Sequence, residues 1–579
     1  MVSVIIFLLA VPLCYHAATT GLDIDLLTRG AGFGYIGSTI TSLIYASFTF
    51  IFFALETAIM ASALKWVFGL PLFIGYVVCA LVVIPLVTHG ITFISRFQRS
   101  TQALWLVLHI VPIVFLMASS PSIVHDWVGF TGEGDGKLNL HHLGAASAII
   151  FALVAQIGEQ VDYLRFMPEK TAQNGKKWWL TLLSAGPGWA IIGAIKMLIG
   201  SLLATLAFGQ GLSAVEATDP TRMYAIAFEY VVPIDQLAII IAAIFVVVSQ
   251  LKINVTNAYA GSIAWSNFFS RLTHSHPGRV VWLVFNVAIA LILMELGIYQ
   301  AFEHILSGYA LLAIAWLGAV VGDLAISKPL GISPKRIEFI RAYLYAINPV
   351  GIGAMTLAVI VGLICYTGYA GPALKPQAHF ITLLVALLAA PFLALVTKAR
   401  FYIARPNLII SEGANAKAHS CCICENTFEP EDLAHCPAYE GAICSLCCSL
   451  CCSLDARCDD VCKPKSHRFA YQIDRLKQVL PQSLQEFVSE RLVYFLGLML
   501  FAMLISGSLL AVIYVNAVQF APSELAKNGI RTVLLQTFFV LQIALGVVAW
   551  LFVLANSSRR VAVEETRIQT LRLMDEIAA

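Results

Sequence analysis

Thirteen long apolar segments constrain this chain more than any other feature of its sequence. A helix that crosses the hydrocarbon core of a bilayer needs about 20 mostly apolar residues. Of the 579 residues, 59% are hydrophobic and only 12% are charged, which excludes a soluble globular protein. We therefore predict an all-α polytopic membrane protein. Its spanning helices are predicted near residues 1–17, 36–64, 71–94, 103–118, 143–160, 182–208, 236–262, 280–298, 301–322, 347–369, 379–397, 492–516 and 533–555.

The spacing of these segments predicts four parts. Eleven segments fall in a bundle at residues 1–400, and a polar, cysteine-rich insert with a linker follows at 401–490. Two further spans form a unit at 491–556, and a charged helix occupies 557–579. The first segment carries no Lys or Arg before residue 10, unlike a secretory signal, so we interpret it as a spanning helix.

Lys and Arg residues in the short loops predict the orientation. With a cytoplasmic C-terminus, the inner loops hold thirteen of these residues and the outer loops six, as the positive-inside rule requires. We therefore predict a multi-pass protein of the cell (inner) membrane whose cysteine-rich insert and C-terminus are cytoplasmic. The net charge of +2 gives no indication of a nucleic-acid partner.

A glycine pattern, Gly32-Phe33-Gly34-Tyr35-Ile36-Gly37, matches the dinucleotide-binding fingerprint. That fingerprint binds pyrophosphate only between a strand and a helix. Here the pattern lies between two apolar segments, so we predict a tight turn with close helix packing. No catalytic constellation is recognisable outside the bundle.

Polar and ionisable residues inside the apolar segments are candidates for a binding site. A charge at the bilayer centre costs at least ~2.5 kcal/mol, so such groups face the bundle interior or a cavity. The alternative for each of them is a hydrogen bond that holds two helices together. We expect Lys196 and Lys252 to pair with carboxylates such as Glu56 and Glu295, and Asp162 to pair with Arg165.

Four motifs resemble the nucleobase:cation symporter family, which includes purine, cytosine and hydantoin permeases. They are the loop around Arg29 and Phe33-Gly34-Tyr35-Ile36-Gly37, the segment Gln156 to Phe166, the segment Asn254 to Ser262, and Ala319 to Asp323. The resemblance implies an inverted-repeat bundle in which broken helices contribute to the site. It makes residues 143–166 the sixth helix of that fold and 1–17 the second, so that the first helix is absent from this chain.

The resemblance also implies a site that recognises an amide-rich ring. The substrate-binding candidates are Glu56, from the polar residues inside the apolar segments, and Gln156, Gly158, Glu159, Asn254 and Asn257, which fall in the matching segments. A transporter of this family would use sodium ions or protons as the coupling ion.

Eleven of the fourteen cysteines lie between Cys421 and Cys462. Two C-x-x-C knuckles, Cys421 to Cys424 and Cys444 to Cys447, have the spacing of a ribbon-like zinc site. A second site would draw on Cys436 or His435, Cys448 or Cys452, Cys458 and Cys462. The predicted ligands are therefore Cys421, Cys424, Cys436, Cys444, Cys447, Cys458 and Cys462, with structural zinc as the metal. Disulfides, an iron-sulfur cluster and palmitoylation are the alternatives.

The whole layout resembles the input half of bacterial hybrid sensor histidine kinases with transporter-like N-termini. This resemblance predicts a sensory domain that binds a nucleobase-like solute and relays to a histidine kinase and its response regulator. A loose apolar seam from Val561 to Ile577 predicts a homodimer through the C-terminal helix. The alternative is a cation-coupled nucleobase symporter, and a third hypothesis is a truncated, non-functional fragment.

Overall fold

The structure is a computed structural model that describes most of the chain. It covers residues 1–131, 139–273, 278–297, 302–405, 419–436, 439, 441–445, 447–448 and 490–553, the last range without 520, 522, 540, 543–544, 547 and 551. These residues form two units. The first comprises Met1–Phe339 with Ile347–Ile403, and the second comprises Ile340–Ala346 with Ala404–Ala579.

The first unit is a bundle of α-helices. In chain order these are α1 (Val2–Thr20), α2 (Ile24–Thr28), α3 (Gly37–Phe68), α4 (Leu72–Thr88), α5 (Ile91–Ser119), α6 (Ser122–Gly129), α7 (Leu140–Ala152), α8 (Gln156–Leu164), α9 (Gly175–Ala185), α10 (Trp189–Gly209), α11 (Ala214–Ala217), α12 (Pro220–Glu229), α13 (Asp235–Thr273), α14 (Arg279–Glu295), α15 (Phe302–Val321), α16 (Pro349–Tyr366) and α17 (Ala378–Val396).

Ten helices in the described part of the chain are long and apolar enough to cross a membrane, which confirms the predicted class of fold. They coincide with ten of the thirteen predicted spans. The predicted span at 71–94 is the shorter helix α4, and that at 280–298 is α14, each with 17 residues. The last predicted span, 533–555, lies partly outside the described residues.

Helix α1 is a packed element of the bundle. Its residues Ala10, Leu13, Cys14 and Ala17 are fully buried, and α1 packs against α7, α8, α10 and α15. By contrast, α4, α5 and α10 expose rows of large apolar side chains, as expected of helices that face lipid. Helix α13 lies along α3, and this pair forms the centre from which the polar side chains described below project.

The glycine pattern forms the predicted tight turn between two helices. Residues Arg29–Phe33 follow α2 as a π-helical turn in which Ala31 and Gly32 leave helical geometry. Gly32 has φ +93° and its position is closed by Tyr402, whose hydroxyl would lie 3.1 Å from a Cβ there. Both the backbone angle and the space require glycine. Since helices flank the turn, a dinucleotide fingerprint is excluded.

The second unit contains a small cysteine-rich module and a helical hairpin. The module has two antiparallel pairs, β1 (His419–Ser420) with β2 (Thr427–Phe428), and β3 (Leu433–Cys436) with β4 (Gly441–Cys444). Helix α18 (Glu490–Gln519) precedes a second helical stretch that begins at 524. Ser506 accepts a 2.6 Å hydrogen bond from Gln542, and the rings of Phe495 and Trp550 meet edge to face at 5.4 Å. The two helices are therefore antiparallel, and the charged helix predicted at 557–579 lies outside the described residues.

Candidate functional site

An interrupted helix carries the acidic half of the candidate site. After α7, residues Leu153–Ala155 form a 3₁₀ turn before α8 begins at Gln156. A 3₁₀ stretch within a helix is tighter than the α-helix and often marks a functional position. The turn leaves Gln156 partly exposed at the start of α8 and places the buried side chains of Glu159 and Asp162 on one face.

Glu159 lies among polar groups from three helices. Its side chain is 2% exposed, and its Oε1 atom has no hydrogen-bond partner. The carboxyl groups of Asp162 on α8 and Glu56 on α3 are near enough to act on it electrostatically, and the hydroxyl of Thr256 on α13 lies beside it. An unpaired buried polar atom is costly, so a partner such as water, an ion or a ligand is expected there.

Two amides on α13 face the same region of the bundle. Asn254 is fully buried and donates from Nδ2 to the Thr57 hydroxyl on α3 at 2.9 Å, while its Oδ1 has no partner. Asn257 is 2% exposed, and its Nδ2 has no partner. The pair therefore offers one unused acceptor and one unused donor, three residues apart on one helix face.

Helix α3 adds the carboxyl group of Glu56 to the candidate site. Lys196 of α10 acts on this carboxyl group electrostatically. The two do not form an ion pair within 4.0 Å in the described part of the chain; the Lys196 ammonium lies 5.5 Å from the centre of the Trp105 ring. The expected pairing of Lys252 with a carboxylate is wrong. Lys252 instead donates to the Gln98 carbonyl at 2.8 Å and to the Thr101 hydroxyl at 3.1 Å, both on α5.

Gly158 has a packing role in the structure. A Cβ at this position would lie 2.6 Å from the ring of Tyr45, so the glycine lets α8 approach α3. The Tyr45 hydroxyl then donates to Asp162 at 3.0 Å. This contact accounts for the glycine without a ligand.

A buried charge network lies at the ends of α2, α3, α8 and α13. Arg271 of α13 pairs with Asp25 and donates to the hydroxyls of Ser38 at 2.9 Å and Ser42 at 3.1 Å. Arg165 pairs with Asp23 at 3.4 Å. These pairs were not predicted from the sequence, although Arg271 and Asp25 are charged residues next to long apolar segments.

The expected ion pair between Asp162 and Arg165 is also wrong. Asp162 accepts from Tyr45 and, at 3.3 Å, from the backbone N–H of Ile24, whereas Arg165 turns to Asp23. A cavity borders this network. It is lined by Asp23, Ile24, Asp25, Thr41, Ser42, Tyr45, Asp162, Ile263, Ala264, Asn267 and Trp316. Since none of the six predicted substrate-binding residues lines it, this cavity adjoins the candidate site rather than coinciding with it.

The cysteine-rich module brings four sulfur atoms together. The Sγ atoms of Cys421, Cys424, Cys444 and Cys447 all lie within 4.8 Å of one another. Tetrahedral zinc with Zn–S bonds of about 2.3 Å requires sulfur atoms about 3.8 Å apart, and Cys424 and Cys444 are separated by 4.0 Å. The donor set therefore fits a structural zinc ion.

Local backbone geometry explains why these cysteines form knuckles. Glu425 adopts a left-handed conformation with φ +59°, which closes the first knuckle. The backbone N–H of Cys444 points at the Cys421 sulfur at 3.3 Å. Burial opposes ionisation of the Cys421 thiol, but the N–H groups of Cys424, Cys444 and Ile423 outweigh it and lower the pKa of this thiol to about 6.

The other predicted ligands are not part of this cluster. Cys436 is buried on β3 and lies near Cys422, apart from the four clustered sulfur atoms. Cys458 and Cys462 lie outside the described residues, so the predicted second site is not described.

The fold and site define a polytopic helical membrane protein with transporter-like architecture. No protein-family model matches the chain, and no curated protein matches it. Among solved structures the chain is similar to Mhp1, a nucleobase-cation-symport-1 family transporter, in a closed conformation with bromovinylhydantoin bound. The TM-score is 0.52 and the sequence identity is 16%, over 69% of this chain and 84% of that chain.

The inward-facing conformation of Mhp1 also matches, with a TM-score of 0.46 and 18% identity over 70% of this chain and 88% of that chain. At such low identity, the similarity to the closed conformation shows the fold alone. It confirms the predicted symporter-like helical bundle.

Proposed function

We propose that the bundle binds a small, nucleobase-like solute and moves it across the membrane together with a cation. The observation that carries this proposal is the set of unused, buried polar atoms on Glu159, Asn254 and Asn257. The fold supports it, since Mhp1 is a symporter-family transporter with a hydantoin bound. The function favoured here is thus the symporter, ahead of the sensory domain that the layout predicted.

The chemistry of these atoms suits an amide-rich ring. The Asn254 carbonyl oxygen accepts from a ring N–H, the Asn257 amide donates to a ring carbonyl, and Glu159 binds a further polar edge. A site built to hydrogen-bond such groups rejects analogues that lack them, because its own buried groups are then left unpaired. Gln156 and Glu56 are the remaining candidates to line this site.

The test is uptake and equilibrium binding of purines, pyrimidines and hydantoins by the full chain in liposomes, with sodium or proton gradients. An unmade hydrogen bond to a buried group costs about 1–3 kcal/mol, so Asn257→Ala should weaken binding about 5- to 150-fold. Asn528→Ala, at an exposed position in the second unit, is the matched control and should bind as the wild type does. Equal affinity in both variants would contradict the proposed site.

We also propose that Cys421, Cys424, Cys444 and Cys447 hold one structural zinc ion. When bound, zinc would supply a folding crosslink to a module that has only short strands. Metal analysis of the purified chain should give zinc, whereas strong visible absorption with bound iron and sulfide would identify an iron-sulfur cluster.

We place the protein in the inner membrane with this module on the cytoplasmic side.

A sensory relay to a histidine kinase is the second candidate function. One observation favours it: Arg405 donates to the Ala342 carbonyl at 2.9 Å and to the His435 carbonyl at 3.0 Å within the second unit. The segment that contains Ala342 joins α15 to α16. A shift of those helices would move this segment and, through the Arg405 hydrogen bonds, change the position or stability of the cysteine-rich module. Solute binding without gradient-driven uptake would favour this function, and accumulation of solute would favour the symporter.

A further inference from the structure

The carboxyl group of Glu159 lies in surroundings that do not suit a fixed negative charge. Glu159 is 2% exposed within a helix that is apolar and long enough to span the membrane. The charged groups that act on it are both carboxyl groups, Asp162 from its own helix and Glu56 from α3. Like charges close together in a poorly solvated site cannot all ionise, so at least one of them holds a proton.

The nearby cations act on the other two carboxyl groups, those of Glu56 and Asp162. Lys196 on α10 acts on Glu56, and Arg165 acts on Asp162, which also accepts two hydrogen bonds. On α1, which packs against α8, His16 interacts with Asp323 and Lys328 instead. Tyr45 and Tyr163 also lie in the group and are acted on by Glu159. Glu159 is therefore the least compensated of the three carboxyl groups.

The Thr256 hydroxyl, beside Glu159, responds to the protonation state of that carboxyl group. This hydroxyl donates its single proton to the backbone carbonyl of Ile253 at 2.6 Å. While it makes that bond, the hydroxyl can only accept a hydrogen bond from Glu159; turned toward Glu159, it would donate to a carboxylate instead, and the Thr256→Val variant below distinguishes the two. An ionised carboxylate has no proton to donate, whereas a carboxylic acid does. The Oε1 atom has no hydrogen-bond partner and is available to a solute.

We infer that Glu159 is the group on which the bundle carries a proton, so that solute movement through this site is coupled to protons rather than to sodium ions. This inference rests on the proposed symporter function. In the transport step, an O–H bond forms on Glu159 from a proton of the outer solution. The same bond breaks on the inner side, and no redox partner is needed. The solute contacts the same carboxyl group that holds the proton, which gives the coupling a structural basis.

Infrared spectroscopy of the purified full chain tests the proton site without any solute. A protonated carboxylic acid has a carbonyl stretch that the carboxylate lacks. We expect this band at neutral pH in the wild type, a loss of intensity in Glu159→Gln, and unchanged intensity in Glu169→Gln, since Glu169 lies in an exposed loop. Glu159→Asp keeps a carboxyl group at this position and should give the band at a shifted frequency. This variant shows that the band reports the carboxyl group itself and not a general change in folding. A band of unchanged intensity in Glu159→Gln, or no band in the wild type, would overturn the inference.

Thr256→Val gives a directional test, because valine has nearly the shape of threonine without its hydroxyl. If the hydroxyl accepts from the protonated acid, its loss should move the appearance of the band to lower pH. A move to higher pH would mean that the hydroxyl stabilises the carboxylate and would contradict the inference.

Uptake separates this inference from the proposed function. An inward proton gradient should raise uptake by the wild type above its level without a gradient. The ratio of uptake with the gradient to uptake without it should fall to one in Glu159→Gln. Uptake driven by sodium alone, with an unchanged ratio in the variant, would overturn proton coupling while leaving the symporter standing. No uptake of any solute would remove the symporter, and the infrared result would still decide whether Glu159 holds a proton.

Discussion

Gly158 offers the sharpest test of packing at the scale of a single residue. Alanine there would place a methyl group 2.6 Å from the Tyr45 ring and disturb the hydrogen bond from Tyr45 to Asp162. Overpacking of this kind costs about 1–3 kcal/mol, so Gly158→Ala should lower the unfolding midpoint of the protein in detergent. Gly193→Ala is the matched control, because a Cβ at Gly193 meets nothing within 4 Å. A helical glycine with free space gains up to about 1 kcal/mol from alanine; equal destabilisation of both variants would argue against the Tyr45 contact.

The burial of the candidate residues was predictable from the sequence, but their hydrogen-bond and charge partners were not. The cost of burying polar groups in a bilayer is sufficient to single out Glu159, Asn254 and Asn257, all of which are buried in the structure. Which charged side chains pair depends on which neighbouring segment packs against the end of a helix. Asp162 and Arg165 are neighbours on one helix, yet Arg165 reaches Asp23 because α2 lies against α8.

The cysteine-rich module, with its two knuckles and two short strand pairs, allows the proposed zinc site to be tested by replacing single cysteines. Cys421→Ser removes one of the four clustered sulfur atoms, and the hydroxyl that replaces it is a poor zinc ligand. We expect this variant to lose zinc, measured by metal analysis of the purified protein. Cys422→Ser is the control, since Cys422 is exposed and lies outside the cluster. Zinc retained by Cys421→Ser but lost from Cys422→Ser would show that the ligand set is wrong.

Helices were the most predictable elements, because a bilayer admits few alternatives to a long apolar helix. The interruption at Leu153–Ala155 has no hydropathy signal, since all three residues are apolar. It was implied only by the resemblance to the symporter family. The strand pairs of the module were not predicted, because runs of two to four residues have no periodicity to recognise.

The orientation of the whole molecule can be tested with residues on either side of one helix. Residues Lys375–Val396 form a 22-residue span, long enough to cross the hydrocarbon core, so positions before and after it must face opposite compartments. Tyr369 precedes this span and is 89% exposed, and Cys422 follows it and is also exposed. The twofold excess of Lys and Arg in the loops assigned to the inner side predicts that Cys422 is cytoplasmic.

In a chain whose Cys451, Cys452, Cys458 and Cys462 are replaced by serine, a membrane-impermeant maleimide should therefore label Cys422 in inside-out vesicles and not in intact cells, with Cys422→Ser identifying the labelled position. Tyr369→Cys, made in the Cys422→Ser background, should give the opposite pattern. The buried Cys14, Cys79 and Cys365 should not react in either preparation. Reversal of both patterns would invert the orientation and put the cysteine-rich module outside the cell, where disulfides would replace zinc as the expected chemistry. Labelling of both positions from the same side would instead mean that this helix does not cross the membrane, which would contradict the symporter-like fold itself.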